Sequence, residues 1–268
     1  MPKKLPLTLA CGDYETVRAL KEGVVEPDGI ELTILTDMDS TTRHWRFIRN
    51  RDFDVAEYSC SSYVAARDQD MPVTAIPVFL HRRFRHGFVY INTGKGITKP
   101  TDLIGRKIGV KSYLTTACHW LRGILEHEYG VQHKSIEWFA ELDEEVDFTP
   151  PNDLKFTKLP DDKSVEDMLV EGELDAVLHA DLIEPILKND PRVGRLWPDY
   201  KAEEIRYYKK TGIFPIMHVM GLKQEVVDQH PWVPINLFHA FEKSKAIAMR
   251  RLNNPRIVPL AWYREAWE

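Results

Sequence analysis

Residues His81 to His86 read HRRFRH, which places three guanidiniums and two imidazoles side by side. In an extended segment side chains alternate faces, so His81, Arg83 and Arg85 share one side while Arg82, Phe84 and His86 share the other. Two guanidiniums ~7 Å apart along a strand can each fork a carboxylate, a pattern that suits a dicarboxylate. The competing reading of such a run is a solvated basic turn.

Other residue types at suggestive positions fit anion chemistry. A helix is expected to start near Thr115, and its unpaired N–H groups, with the hydroxyls of Thr115 and Thr116, form an anion-binding end. Ser59, Ser61 and Ser62 repeat that pattern before an earlier helix. Ordinary N-capping explains both sets equally well and is compatible with binding. Glu57, in DVAEYS, closes an expected strand at the end that faces ligands in open α/β sheets, and Asp13 holds an analogous place; an ordinary edge residue is the alternative for each. His218 follows the uncharged run Gly212–Met217, which contains Pro215. It is either a core histidine bonded to backbone or an acid/base group with a tuned pKa.

Several chemistries are argued against. The ten histidines show no HxH or HExxH spacing, so the sequence implies no metal, although ligands assembled from distant segments leave no spacing signal. GxGxxG, P-loop and GxSxG motifs are absent, which argues against nucleotide cofactors and serine-hydrolase chemistry. A formal charge of −5 over 268 residues gives no basis for nucleic-acid binding by the whole surface. The three cysteines, Cys11, Cys60 and Cys118, are widely spaced and form no CxxC, as in a reducing compartment. Leu5–Cys11 is too short for a signal-peptide core and runs into a strand pattern, and no other stretch approaches the ~20 apolar residues of a membrane span. A cytoplasmic protein with no membrane partner is the expectation. A homo-oligomer is compatible with it.

The elements that must position these residues alternate between short apolar strands and amphipathic helices, the pattern of an α/β fold. Strands are expected at Leu5–Cys11, Ile30–Leu35, Phe53–Tyr58, Thr74–Leu80, Gly87–Asn92, Lys107–Val110, Glu137–Ala140 and Ala176–His179. Helices are expected at 16–22, 41–50, 59–67, 115–129, 164–171 and 233–252. Tyr207–Leu222 reads as a strand crossing between two lobes, matching a first crossing near 82–90. This gives lobe 1 as 1–86 plus 209–268 and lobe 2 as 87–208, closing a cation-rich cleft around a small anion. The C-terminal AWYREAWE reads as a helix with no terminator, as if a further segment followed.

The stretch KPTDLIGRKIGVKSYLTTACHWLRGILEHEYGV (Lys99–Val131) resembles the second-lobe signature of type 2 periplasmic binding proteins. DFDVAEYSCSSYVAAR (Asp52–Arg67) and GELDAV (Gly172–Val177) are similar to the first-lobe pattern and a later strand of the same superfamily. Within it the chain resembles the 4,5-dihydroxyphthalate decarboxylases, through RRFRH (Arg82–His86), the helix with Trp120, Arg122 and Gly123, LWPDY (Leu196–Tyr200), YYKKTGIFPIMH (Tyr207–His218) and HPW (His230–Trp232). VLHADLIEP (Val177–Pro185) departs from the family pattern.

The resemblance implies a two-lobed α/β fold with two inter-lobe crossings. It also implies non-oxidative loss of CO2 from a hydroxylated aromatic dicarboxylate such as 4,5-dihydroxyphthalate, with no cofactor. Arg82, Arg83 and Arg85 then hold the non-reacting carboxylate, with Ser59, Ser61, Thr115 and Thr116 around the ligand. Glu57 or His86 takes up the phenolic proton, and His218 delivers a proton to the ring carbon. Two other readings stay open: a solute-binding protein that captures an organic anion without chemistry, and another cytoplasmic lyase on the same scaffold.

Overall fold

The computed structural model describes residues 3–254, 256, 257 and 259–263; most of the helix expected over AWYREAWE lies outside the described residues. In chain order the elements are β1 (Leu5–Ala10), α1 (Glu15–Lys21), β2 (Ile30–Leu35), α2 (Ser40–Ile48), β3 (Val55–Ser59), α3 (Cys60–Asp68), β4 (Val73–Ile76), β5 (Val89–Asn92), β6 (Lys107–Val110), α4 (Thr116–Tyr129), β7 (Glu137–Ala140), β8 (Phe156–Lys158), α5 (Val165–Glu171), β9 (Ala176–Leu178), α6 (Glu184–Leu187), β10 (Val193–Arg195), α7 (Tyr200–Thr211), β11 (His218–Lys223), α8 (Gln224–Gln229) and α9 (Val233–Leu252). Local chemistry sets many of the boundaries. Asp39 caps α2 by accepting from Thr42 N at 2.9 Å, and Ser164 caps α5. Gly130 and Gly172 end α4 and α5 in the left-handed conformation that glycine adopts without strain.

The described residues form two compact units. Unit 1 draws on Met1–Tyr58, Tyr63–His81 and His218–Glu268, and unit 2 on Ser59–Ser62 and Arg82–Met217. The chain therefore leaves unit 1 after His81 and re-enters it at His218. Unit 1 holds a sheet in the order β2-β1-β3-β11-β4. β1 runs parallel to β2 from Leu5↔Ile30 to Ala10↔Leu35, and parallel to β3; β11 is antiparallel to β4. Its core gathers Leu9, Val17, Leu20, Val55, Met220, Leu222, Leu237 and Phe241. Strands covered on both faces read as near-continuous apolar runs. β3 is buried at all five positions yet contains Glu57, an ionisable group where the pattern calls for a hydrophobe.

Unit 2 holds the sheet β10-β5-β9-β6-β7-β8, with β6 parallel to both β7 and β9 and with β5 antiparallel to β9 and β10. Ile108, Val110, Leu121, Leu125, Trp138 and Leu178 fill its main core.

Two sequence expectations are corrected. The segment His81–Arg85 is not a strand: it makes one bridge, Arg82 to Ile216, and a single turn of 3-10 helix follows over His86–Phe88. Its partner segment contains Pro215, which accepts from Arg83 N at 3.0 Å but has no N–H to extend a ladder. Tyr207–Leu222 is likewise not one strand. Tyr207–Thr211 completes α7, which Asp199 caps and Gly212 ends at φ +68°, and the strand begins only at His218.

β6 packs without spare room at Gly109, where an added Cβ would lie 2.7 Å from Leu174 Cδ1 and 3.0 Å from Val165 Cβ. Both neighbours are fully buried. Gly109→Ala is expected to cost about 1–3 kcal/mol through overpacking, read as a lower urea midpoint with an unchanged m-value.

Candidate functional site

Burying a carboxylate is tolerable only when charge and hydrogen bonds are matched around it. Glu57 meets that condition from three parts of unit 1. From the turn after β1, Gly12 N donates to Oε2 at 2.8 Å and the Tyr14 hydroxyl to Oε1 at 2.7 Å. From α2, the Arg43 guanidinium donates to Oε2 at 2.8 Å, and both side chains of this ion pair are almost fully buried. From β11, His218 Nδ1 lies 2.6 Å from Oε1. Gly12 is required here: a Cβ on it would stand 2.6 Å from Tyr14 Cε2, so its absence lets the tyrosine ring fold back to the carboxylate.

These contacts fix protonation states. Burial alone would push the Glu57 carboxyl up, but the bonds and charges of His218, Arg43 and Tyr14 win and hold it at about 2. Burial and the adjacent carboxylate push the Tyr14 hydroxyl far up, so it stays a donor. An ionised Glu57 only accepts, so Nδ1 of His218 carries the hydrogen and the neutral ring keeps its lone pair on Nε2. Burial also pushes His218 below the ordinary imidazole range, against the pull of Glu57. Two further imidazoles flank the ring edge-on, His44 and His81, each with a centroid distance of 4.8 Å. The result is an oriented carboxylate–histidine dyad in a histidine-lined setting, able to accept or deliver one proton at Nε2.

The two sequence candidates Glu57 and His218 are therefore brought together. Tyr14, Arg43 and His44 were not singled out by their types, and His81 was noted only as part of the basic run HRRFRH. A signal for two of them exists in STTRHWRFI: positions 43, 44, 47 and 48 form the buried stripe of α2, so Arg43 and His44 occupy core-facing helical positions, where a charge needs a partner.

Asp13 is an exposed residue of unit 1 paired with Lys21 at 3.0 Å; the other candidates lie in unit 2. Arg85 is 2% exposed; its Nη1 donates to Ala180 O at 2.5 Å, its Nε approaches Met217 Sδ at 2.9 Å, and it lies against the Phe88 ring. Among the described residues it makes no ion pair, and burial lowers its guanidinium to about 10. Arg83 lies over Phe88 at 4.2 Å and reaches Asp181 at 3.4 Å. Ser59, Ser61 and Thr116 bond one another through their hydroxyls, and Thr115 donates to Ser112 O at 2.6 Å. Among the described residues no group of three or more His, Cys, Asp or Glu is arranged to hold a metal ion, and no helix is long and apolar enough to cross a membrane.

His86 is fully buried between Trp197 and Tyr207, at centroid distances of 5.2 and 5.4 Å. Neither ring nitrogen has a hydrogen-bond partner among the described residues, and burial lowers it from 6.5 to about 4. The unfolded chain therefore binds a proton between those values that the folded chain does not. Stability is full above about 6.5 and falls as pH drops toward 4, by on the order of 3 kcal/mol. His86→Phe is expected to flatten that part of a stability-against-pH curve measured by urea unfolding; an unchanged slope would show that His86 does not cause it.

Comparison with known proteins gives the same fold and a family. Residues 16–150 match the family model described as NMT1/THI5 like. Two relatives are each named 4,5-dihydroxyphthalate decarboxylase. The protein from Comamonas testosteroni is 35% identical over 94% of this chain and 78% of its own length, and that from Pseudomonas putida is 33% identical over 77% and 82%. Among solved structures, the aliphatic sulphonate binding protein SsuA of Escherichia coli superposes with TM-score 0.56 at 11% identity, covering 94% of this chain and 75% of its own. The alkanesulfonate-binding SsuA of Xanthomonas axonopodis pv. citri, bound to MOPS, gives 0.57 at 10%, covering 94% and 76%. The two sheets are thus those of a periplasmic-binding-protein-like α/β fold, and the chain belongs to the 4,5-dihydroxyphthalate decarboxylase family.

Proposed function

We propose that the chain is a carboxy-lyase that removes CO2 non-oxidatively from a hydroxylated aromatic dicarboxylate, with 4,5-dihydroxyphthalate the first substrate to test. The observation that carries the reading is the 2.6 Å contact between His218 and Glu57, taken together with the decarboxylase-named relatives. In the free protein His218 is neutral. An arriving dianion raises its proton affinity, since opposite charge favours the imidazolium, and the ionised Glu57 stabilises it further. The imidazolium Nε2–H then protonates the ring carbon that bears the carboxylate, assisted by electron release from the para hydroxyl. The bond to the carboxylate breaks, its electron pair restores the aromatic ring, and CO2 leaves. Glu57, with both oxygens already engaged, is a positioning residue rather than the base the sequence suggested. Arg85, a buried cation with no acidic partner among the described residues, is the residue we assign to the ligand's charge.

A binding protein without chemistry is the second reading, and the same unpaired Arg85 favours it, because capture of an anion requires no more than that.

The test follows CO2 release and ring absorbance with 4,5-dihydroxyphthalate. His218→Gln is expected to lower kcat by at least about a hundredfold, the usual scale of a lost proton-transfer group. Glu57→Gln, by removing negative charge beside the ring, should move the alkaline limb of the kcat profile to lower pH. Arg85→Ala should act mainly on KM. Full turnover by His218→Gln would refute the proposed chemistry, and tight binding of phthalate by a protein that evolves no CO2 would establish the second reading.

A further inference from the structure

Unit 2 contains a groove between α4 and the end of α7 that neither the dyad chemistry nor Arg85 uses. Its volume is about 450 Å³, in the range of small-molecule sites. Gly123 lines it from the middle of α4, a position where glycine lowers helix stability relative to alanine. Crowding does not require a glycine there, since an added Cβ would meet nothing within 4 Å. Backbone conformation does not require it either, because Gly123 is absent from the positive-φ glycines. What the missing side chain supplies is open space on the helix surface, where a flat molecule can approach the backbone.

The spacing around that space is regular. His119, Gly123 and His127 follow one another at four-residue intervals and all line the groove. They form one stripe of the helix, with the two histidines about 12 Å apart along its axis and the glycine between them. Both histidines are exposed, and among the described residues neither ring makes a hydrogen bond or an ion pair. Each imidazole therefore keeps a donor and an acceptor for a guest.

The rest of the lining is apolar and fixed. The Trp120 indole is anchored by Nε1, which donates to Ile216 O at 2.8 Å. Tyr207 is buried against His86 at 5.4 Å, and Ile213, just past α7, stays 40% exposed. Glu128 is the one carboxylate among the lining residues. Lys210 at 2.8 Å and Arg206 at 3.8 Å already compensate it. A charged guest would lose hydration here without gaining a counter-charge.

We infer that this groove binds a planar, uncharged aromatic molecule with a hydrogen-bonding group on its edge, the ring seated over Gly123 against Trp120 and Tyr207 and the edge group meeting His119 or His127. Such a guest differs in charge from the dianion assigned to Arg85, and its binding involves no proton transfer at His218.

The experiment is equilibrium binding of 2-naphthol to the full chain by calorimetry at about pH 8, where an unperturbed imidazole is neutral. Saturable binding is expected. Gly123→Leu fills the groove with a better helix former, so it should abolish binding while the urea midpoint does not fall. His119→Ala with His127→Ala, two exposed positions that give a folded protein in any case, should weaken binding about tenfold, the scale of one lost hydrogen bond. Naphthalene-2-carboxylate is the anionic control. The part of its binding that Gly123→Leu removes should be at least tenfold weaker than that of 2-naphthol; any part that survives lies elsewhere. No saturable binding of 2-naphthol, wild-type affinity in Gly123→Leu or in the double histidine variant, or equally tight Gly123-dependent binding of the carboxylate would each overturn the assignment.

Discussion

An ionised carboxylate sealed inside a mixed sheet imposes its needs on everything near it. Glu57 sits in β3 with no access to water, and removing one member of a buried ion pair typically costs 3–5 kcal/mol because the other charge is left uncompensated. The turn after β1, the buried face of α2 and the first residue of β11 must therefore arrive with donors in place. Once they do, the orientation of His218 is no longer free. Its Nδ1 is spent on the carboxylate, and its reactivity is concentrated on one nitrogen. Stability and reactivity in unit 1 thus share a single set of hydrogen bonds.

Unit 2 handles charge in the opposite manner. Its main core gathers aliphatic and aromatic side chains, and the buried Arg85 bonds to a carbonyl, approaches a thioether and lies against the Phe88 ring, with no ion pair among the described residues. A cation so placed lacks a counter-charge that the unit itself does not provide. Its lowered proton affinity reflects desolvation first and the neighbouring Arg83 second. The two units therefore differ: one has a carboxylate whose bonds are all met, the other a guanidinium with no ion pair among the described residues.

The fold was readable from periodicity because most elements carry strong local signals. Glu137–Ala140 and Val233–Leu252 emerge with the expected bounds, and α4 runs to Gly130 as expected, since β-period apolar runs, a proline near a helix start and a glycine stop act over a few residues. The failures have a common physical origin. The spacing of Tyr207–Leu222 permits a strand and that of HRRFRH an extended run, but strand formation needs a partner with donors, and Pro215 withholds one. At the site, Glu57 and His218 were visible as misplaced polar residues in apolar runs, while their pairing across 161 positions was not. Arg43 and His44 were masked by the polar appearance of α2; only its buried stripe reveals them. Tyr14 carries no local signal, and the run HRRFRH does not point His81 toward His218; both placements come from tertiary contact.

One position without a side chain has a reach that chemical intuition about residue types would miss. Gly12 offers its N–H to Glu57 and leaves the space through which Tyr14 reaches the same carboxylate. One of the bonds that define the electrostatic state of a histidine more than two hundred residues later, that of Tyr14, thus hangs on one missing methyl group near the start of the chain. In evolutionary terms, position 12 is a tuning point disguised as a spacer. Drift there would alter the proton affinity of the dyad while leaving its side chains in place, so two sequences with the same dyad residues need not titrate alike.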